Sequence, residues 1–341
     1  MKSRLALVVL VSAICSSNGF AHHSRANFDM TNSLSLTATV KQFRYGNPHS
    51  YVFAEALDAE GNPVEWIVEL GSVPNLTRMK MQADSLQPGD KIGMVGNPDR
   101  DAGKHIMFLD SITKSDGVRF SMSDVLGAGR TSAPAITSGA KDLAGIWRIQ
   151  RTIEEILNAT HDVPDLALTA KGKAVLASYD PNENPYFFCQ MQGVPRNIDM
   201  VYPTIIKREA NTLVFSYELS SLTRTVYLDG AVPATMPVPS VTGYSVGHME
   251  NQTLVVETSN FSDEKWGLIA GLDSSSEKQV VERYTLGDDG KSMHVSVVTT
   301  DPEYLTAPMR SEYTWTYSPE TSITPYVECD LESASLHLQE N

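Results

Sequence analysis

The chain has 341 residues and a mass of 37.4 kDa, enough for two cores, since a single core seldom grows past roughly 250–300 residues. With 41% hydrophobic and 20% charged residues it is neither disordered nor fibrous. The 27 Lys and Arg against 41 Asp and Glu leave a net charge of -14, which argues against a nucleic-acid partner, because neutralising phosphates needs a basic surface.

Met1-Lys2-Ser3-Arg4 is a short basic head, residues 5–14 form an apolar run, and residues 16–21 are polar with small residues at Gly19 and Ala21. This is the pattern of a secretory signal peptide over residues 1–21, cut after Ala21. The apolar run is too short to span a bilayer, and Cys15 follows Ile14, where a lipid-accepting cysteine needs a small neighbour. A periplasmic or extracellular protein without a membrane anchor is expected. Loss of Cys15 leaves Cys189 and Cys329, an even pair for an oxidising compartment, so a disulfide closing a 140-residue loop is expected.

Residues 22–120 predict a first domain. Strand patterns run over 34–43, 50–57 and 64–70, the last two separated by the turn at Glu60-Gly61-Asn62. A short helix follows over 72–79, with Ser72 as N-cap and Pro74 in its first turn. Pro88-Gly89-Asp90 turns the chain into a strand over 91–96, and a fifth covers 105–113. Three strands, a helix and two strands is the order of an OB-like five-stranded barrel. Residues 121–140 are dominated by Gly, Ala, Ser, Thr and Pro and predict a flexible linker.

Residues 141–341 predict a larger antiparallel β-barrel with short helices over 153–158 and 169–178. Strand-length runs cover 211–218, 224–228, 244–249, 253–258, 279–286, 293–299 and 312–317. Asp229-Gly230, Glu250-Asn251 and residues 287–290 supply reversals. So many strands in one open sheet would leave long bare edges, so closure is expected.

The run Ala21-His22-His23-Ser24, the strand containing Thr39-Val40-Lys41-Gln42-Phe43, the Asn47-Pro48-His49 segment and the Leu86-Gln87-Pro88-Gly89-Asp90 turn together resemble a large bacterial family of secreted proteins of unknown function. Ala38 stands where that pattern usually has Gly. Residues 224–230, 243–247 and 280–284 are similar to segments of uncharacterised secreted proteins that often carry the same first domain. Gly145-Ile146-Trp147 is similar to the G-x-W opening of lipocalins and other calycin barrels. The resemblance implies secretion and this two-domain architecture, and no activity.

Cleavage after Ala21 would put His22 at the amino terminus, where the α-amine and the imidazole of one residue can chelate a metal. A third nitrogen would complete the planar set that Cu(II) prefers. His49, delivered by Asn47-Pro48, is the first choice for it, with His23 a local competitor and His105 a further candidate. Such a site looks like the copper end of lytic polysaccharide monooxygenases and of some copper carriers. Zinc would need carboxylate help, with Asp29 within reach; Asp29 and Glu69 otherwise read as ordinary surface or strand-end acids.

In the second domain Gly243-Tyr244-Ser245-Val246-Gly247 spells G-x-S-x-G, but a strand rather than a helix follows, which is the wrong context for a nucleophile elbow. Arg224, Tyr227, Asp229, His248, Glu257, Glu282, Arg283 and Asp301 are polar residues on or beside strands. Facing inward they would surround a small hydrophobic ligand and act on it by hydration, isomerisation or cyclisation. Arg224 with Glu282 or Arg283 reads equally as structural ion pairing.

Overall fold

A computed structural model describes residues 27–122, 138–149, 166–326 and 328–339. The leader, His22, His23, the middle of the expected linker and the helix expected over 153–158 lie outside the described residues.

The first domain opens with β1 (Leu34–Arg44), which pairs antiparallel with β2 (Tyr51–Leu57) on one side and β4 (Lys91–Pro98) on the other. A bulge between Val40 and Gln42 bends this long strand so that it can serve both neighbours. β3 (Pro63–Glu69) continues the sheet beyond β2 and meets β5 (Ile106–Lys114) in a parallel pairing that closes five strands into a barrel. Val52, Ala54 and Ala56 alternate into the core with Val40, Val68, Ile92, Met94 and Ile112. α1 (Val73–Arg78) lies between β3 and β4 in chain order, and its Leu76 joins the same core. Ser72 occupies the N-cap position without a capping bond, and its hydroxyl hydrogen-bonds Tyr202 Oη of the second domain at 3.1 Å instead.

β6 (Arg119–Ser121), not foreseen, pairs with β5, and Ser121 and Met122 are buried, so the first core reaches past residue 120. At the far end of the expected linker, Ala140 N–H already donates to Gly290 O of the second domain.

The second domain is a closed barrel of nine strands in ring order. β7 (Gly145–Ile149), β8 (Thr204–Glu209), β9 (Thr212–Tyr217) and β10 (Thr223–Leu228) are followed by β11 (Tyr244–Glu250) and β12 (Thr253–Ser259). A separate hairpin of β13 (Glu264–Ile269) and β14 (Leu272–Ser274) precedes β15 (Gln279–Leu286), β16 (Ser292–Thr300) and β17 (Met309–Tyr317), which pairs with β7 and seals the ring. A ring with an odd number of strands cannot alternate direction throughout. The break falls between β10 and β11, which run parallel, so the barrel is not antiparallel at every seam. The G-x-W segment supplies the closing strand: Trp147 is fully buried, donates Nε1–H to Leu143 O at 2.9 Å and packs against Tyr317.

Aromatic rings fill the lumen. Phe215, Tyr284 and Trp315 form a row with centroids 5.4 and 5.8 Å apart, and aliphatic side chains from β9 to β16 pack around them. α2 (Ala170–Ala177) begins at a Thr169 hydroxyl that accepts from Gly172 N–H. Three short 3-10 helices, Pro181–Glu183, Pro185–Phe188 and Arg196–Asp199, form a cap whose Val194 and Ile198 join the barrel core. The expected disulfide between Cys189 and Cys329 ties this cap to the segment before α3 (Leu331–Gln339).

Candidate functional site

The loop that carries His49 is fixed on several sides. Asn47 is buried ahead of a cis Asn47–Pro48 bond, its Oδ1 accepts from Val73 N–H at 3.0 Å, and its carbonyl accepts from Asp330 N–H at 2.8 Å. The Ser50 hydroxyl donates back to Gly46 O at 3.0 Å. From this loop His49 Nδ1 reaches Glu69 Oε1 at 3.1 Å; the His49 side chain is 23% exposed and that of Glu69 2%. The contact is one of ion-pair distance, and it turns Nδ1 toward a buried carboxylate, the kind of neighbour that commonly stands behind a metal-ligating imidazole. Glu69 reads as a strand-end acid in the sequence, and no spacing rule connects it with His49.

His105 lies elsewhere. Its ring packs edge-on against Trp66 at 5.2 Å, whereas Trp66 and Glu69, three residues apart on β3, face opposite sides of the strand. Asp29 is engaged locally, with its carboxylate accepting from the Thr31 hydroxyl and amide and from Asn32 Nδ2, which holds it below the usual carboxylate range. Among the described residues no group of three His, Cys, Asp or Glu is placed to hold a metal ion.

Of the residues singled out in the second domain, Arg224 and Glu282 come together. They lie on strands separated in the ring by β11 and β12, and they meet across the lumen. The guanidinium grips the carboxylate through two contacts of 2.5 and 2.9 Å and lies 5.0 Å from the Phe215 ring centre. Tyr284 Oη donates to Glu282 Oε1 at 2.5 Å, and burial raises the pKa of this phenol well above its ordinary value. Tyr217 is also buried, and neither its hydroxyl nor Arg224 Nε has a hydrogen-bond partner among the described residues. Sequence reasoning missed both tyrosines, because inward aromatics on alternating strands are ordinary core.

The other candidates are dispersed. Tyr227 packs against Tyr244 at 5.6 Å, and Asp229 sits exposed in a turn at φ 52°. His248 is exposed beside Glu250 at 3.2 Å, which in turn binds Arg283 at 2.6 Å, and Glu257 is exposed. Asp301 is buried as a loop clamp, accepting from the Ser275 amide and hydroxyl at 2.7 and 2.8 Å. Ser245 is buried with its hydroxyl hydrogen-bonded to that of Thr258, and β11 runs straight through it, so no nucleophile elbow forms.

Residues 9–108 match the model of a family described as a family of unknown function, DUF6152. That span takes in His22, His23, His49 and His105 and stops within β5. No curated protein matches the chain.

Proposed function

We propose that this is an exported protein that binds copper at its mature amino terminus, through the amine and imidazole of His22 and the imidazole of His49, with His23 as the competing local ligand. Export to the periplasm or outside the cell and cleavage after Ala21 are parts of the proposal. The observation that carries it is the His49–Glu69 pair: with Nδ1 turned to a buried carboxylate, Nε2 is the nitrogen that would face a metal, and the loop behind it is already ordered. The role is copper carriage or oxidative chemistry at the metal. His105, packed on Trp66, is left out of the ligand set.

A small hydrophobic ligand in the second barrel, hydrated, isomerised or cyclised there, finds support only in the Arg224–Glu282–Tyr284 cluster, because aromatic rings occupy the lumen around it.

The test is Cu(II) titration of the exported, processed protein followed by electron paramagnetic resonance, with amino-terminal sequencing of the same sample. His49→Ala is expected to remove one nitrogen coupling, and Glu69→Gln to keep the coupling while weakening affinity by about 10–100-fold. An unchanged spectrum in His49→Ala, or an amino terminus other than His22, overturns the reading.

A further inference from the structure

Away from both clusters, a surface cleft of about 450 Å³ opens between α2, the turn that follows it and the β13–β14 hairpin. This is within the range of small-molecule sites. Its aromatic wall is built with care. The rings of Tyr179 and Trp266 lie 5.3 Å apart and inclined by 31°. Gly271, at φ +79°, admits Tyr179 against the hairpin turn, since a Cβ there would come within 2.4 Å of its ring. Trp266 itself sits in the left-handed region at φ 57°, held by its N–H bond to Asp273 Oδ1 at 2.9 Å. A non-glycine residue held in this region is strained, and such strain tends to collect at functional sites.

The lining is strongly acidic. It carries Asp180, Glu183, Asp263, Glu264, Asp273 and Glu303 against two lysines. Both lysines are tethered at the edges: Lys265 binds Glu183 at 2.8 Å, and Lys171 binds Glu303 while its ammonium sits 4.7 Å from the Tyr304 ring centre. The buried Lys278 answers Glu264 at 3.2 Å. No lysine or arginine forms a salt bridge with Asp180, Asp263 or Asp273 among the described residues. On the floor, Ser274 is 1% exposed and its hydroxyl has no hydrogen-bond partner among the described residues. Gly267 makes the room for it: a Cβ there would lie 2.1 Å from Ser274 Oγ and 2.8 Å from Glu264 Oε2.

We infer that this cleft binds a small organic cation bearing amine or guanidinium groups. Carboxylates without a salt-bridge partner among the described residues select positive charge, Tyr179, backed by the buried Trp266, offers π surface to a cation, and the Ser274 hydroxyl offers a hydrogen-bonding group at the bottom with no partner among the described residues. Lys171 over Tyr304 beside Glu303 already shows, within the chain, how an ammonium is held here. A neutral sugar could stack on the aromatic wall and donate hydroxyls to the carboxylates, but it would gain no charge attraction from the excess of acid.

Calorimetric titration of the full processed protein with spermidine tests this, with cellobiose as the neutral comparison and a second titration at raised salt. Saturable binding of spermidine is expected, weakened about tenfold by Tyr179→Ala and by Asp263→Asn. Ser274→Ala is expected to weaken it several-fold with an unchanged melting temperature, since the hydroxyl bonds nothing among the described residues. Absence of saturable heat up to about 1 mM spermidine overturns the inference, as does cellobiose binding in its place. Spermidine binding that is indifferent to all three substitutions would mean diffuse attraction to an acidic protein, and overturns it as well.

Discussion

A guanidinium and a carboxylate meeting inside a barrel are held there by each other, and this gives the Arg224–Glu282 pair a distinctive mutational signature. Taking two ions out of water costs several kcal/mol each, and their close, two-point contact offsets that cost only while both are present. Glu282→Ala strands Arg224 and also removes the acceptor of Tyr284 Oη, so a loss of about 3–5 kcal/mol is expected. Arg224→Met combined with Glu282→Leu removes both charges and should fall within about 1 kcal/mol of the parent or exceed it. Denaturant unfolding, read by the fluorescence of the barrel residues Trp147 and Trp315, separates the two outcomes. A double variant as weak as the single one would mean that the pair stabilises the barrel beyond satisfying itself. The strand pattern placed both residues on strands as candidates but did not assign them a face. It could not say which rungs face each other across a closed ring, so Tyr217 and Tyr284 stayed indistinguishable from core, and Glu69 from any strand-end acid.

At the level of elements, local chemistry marked the reversals and the number of strands called for closure, but the order and direction of the seams did not show. The turn residues at Glu60-Gly61-Asn62, Pro88-Gly89-Asp90 and Glu250-Asn251 delimit strands that fall within a few residues of the expected ranges. β8 was missed because the 3-10 cap before it has no periodicity, and the β13–β14 hairpin because its strands are short and irregular in register. The parallel seam was illegible for a different reason: it follows from ring parity, which no local window contains. The chain between β10 and β11, residues 229–243, returns to the starting end to make that seam, and the cap rests on it at Gly193. A Cβ at Gly193 would lie 1.8 Å from Val241 O, and the neighbouring Val194 N–H donates to the same oxygen at 3.3 Å. Gly193→Ala therefore has to push the cap off the crossover and is expected to cost about 3 kcal/mol in denaturant unfolding. Gly93→Ala, where the nearest atom is 3.9 Å away, is the control expected near zero. Equal effects at the two sites would show that the close approach at Gly193 is relieved without cost.

Over the whole molecule, the cap, the barrel mouth and the first domain are joined through phenols. Tyr202 Oη meets the Ser72 hydroxyl and accepts from Asn75 Nδ2, both contacts at 3.1 Å, while nearby Arg78 pairs with the buried Glu218, whose other oxygen accepts from Thr324 N–H at 2.9 Å. Tyr186 lies in the cap, and Tyr217 and Tyr284 lie in the barrel beneath it. Burial raises the pKa of all four above the ordinary phenol value. The sign of the linkage follows. An unfolded tyrosine loses its proton near pH 10, the folded ones keep theirs to higher pH, and so the unfolded state binds fewer protons in that window. Their contribution to stability is complete below pH 10 and falls as pH rises from there through the raised folded values, by up to about 1.4 kcal/mol per pH unit for each phenol. Absorbance at 295 nm should accordingly resolve the 13 tyrosines into an exposed set that titrates normally and a buried set that ionises in one steep step. That step should coincide with loss of near-ultraviolet circular dichroism. Because Tyr202 spans the two domains, Tyr202→Phe should separate the alkaline melting of the first barrel from that of the second. A smooth single titration of all tyrosines with the dichroism intact would mean that these phenols reach solvent without unfolding, and that the cap opens on its own.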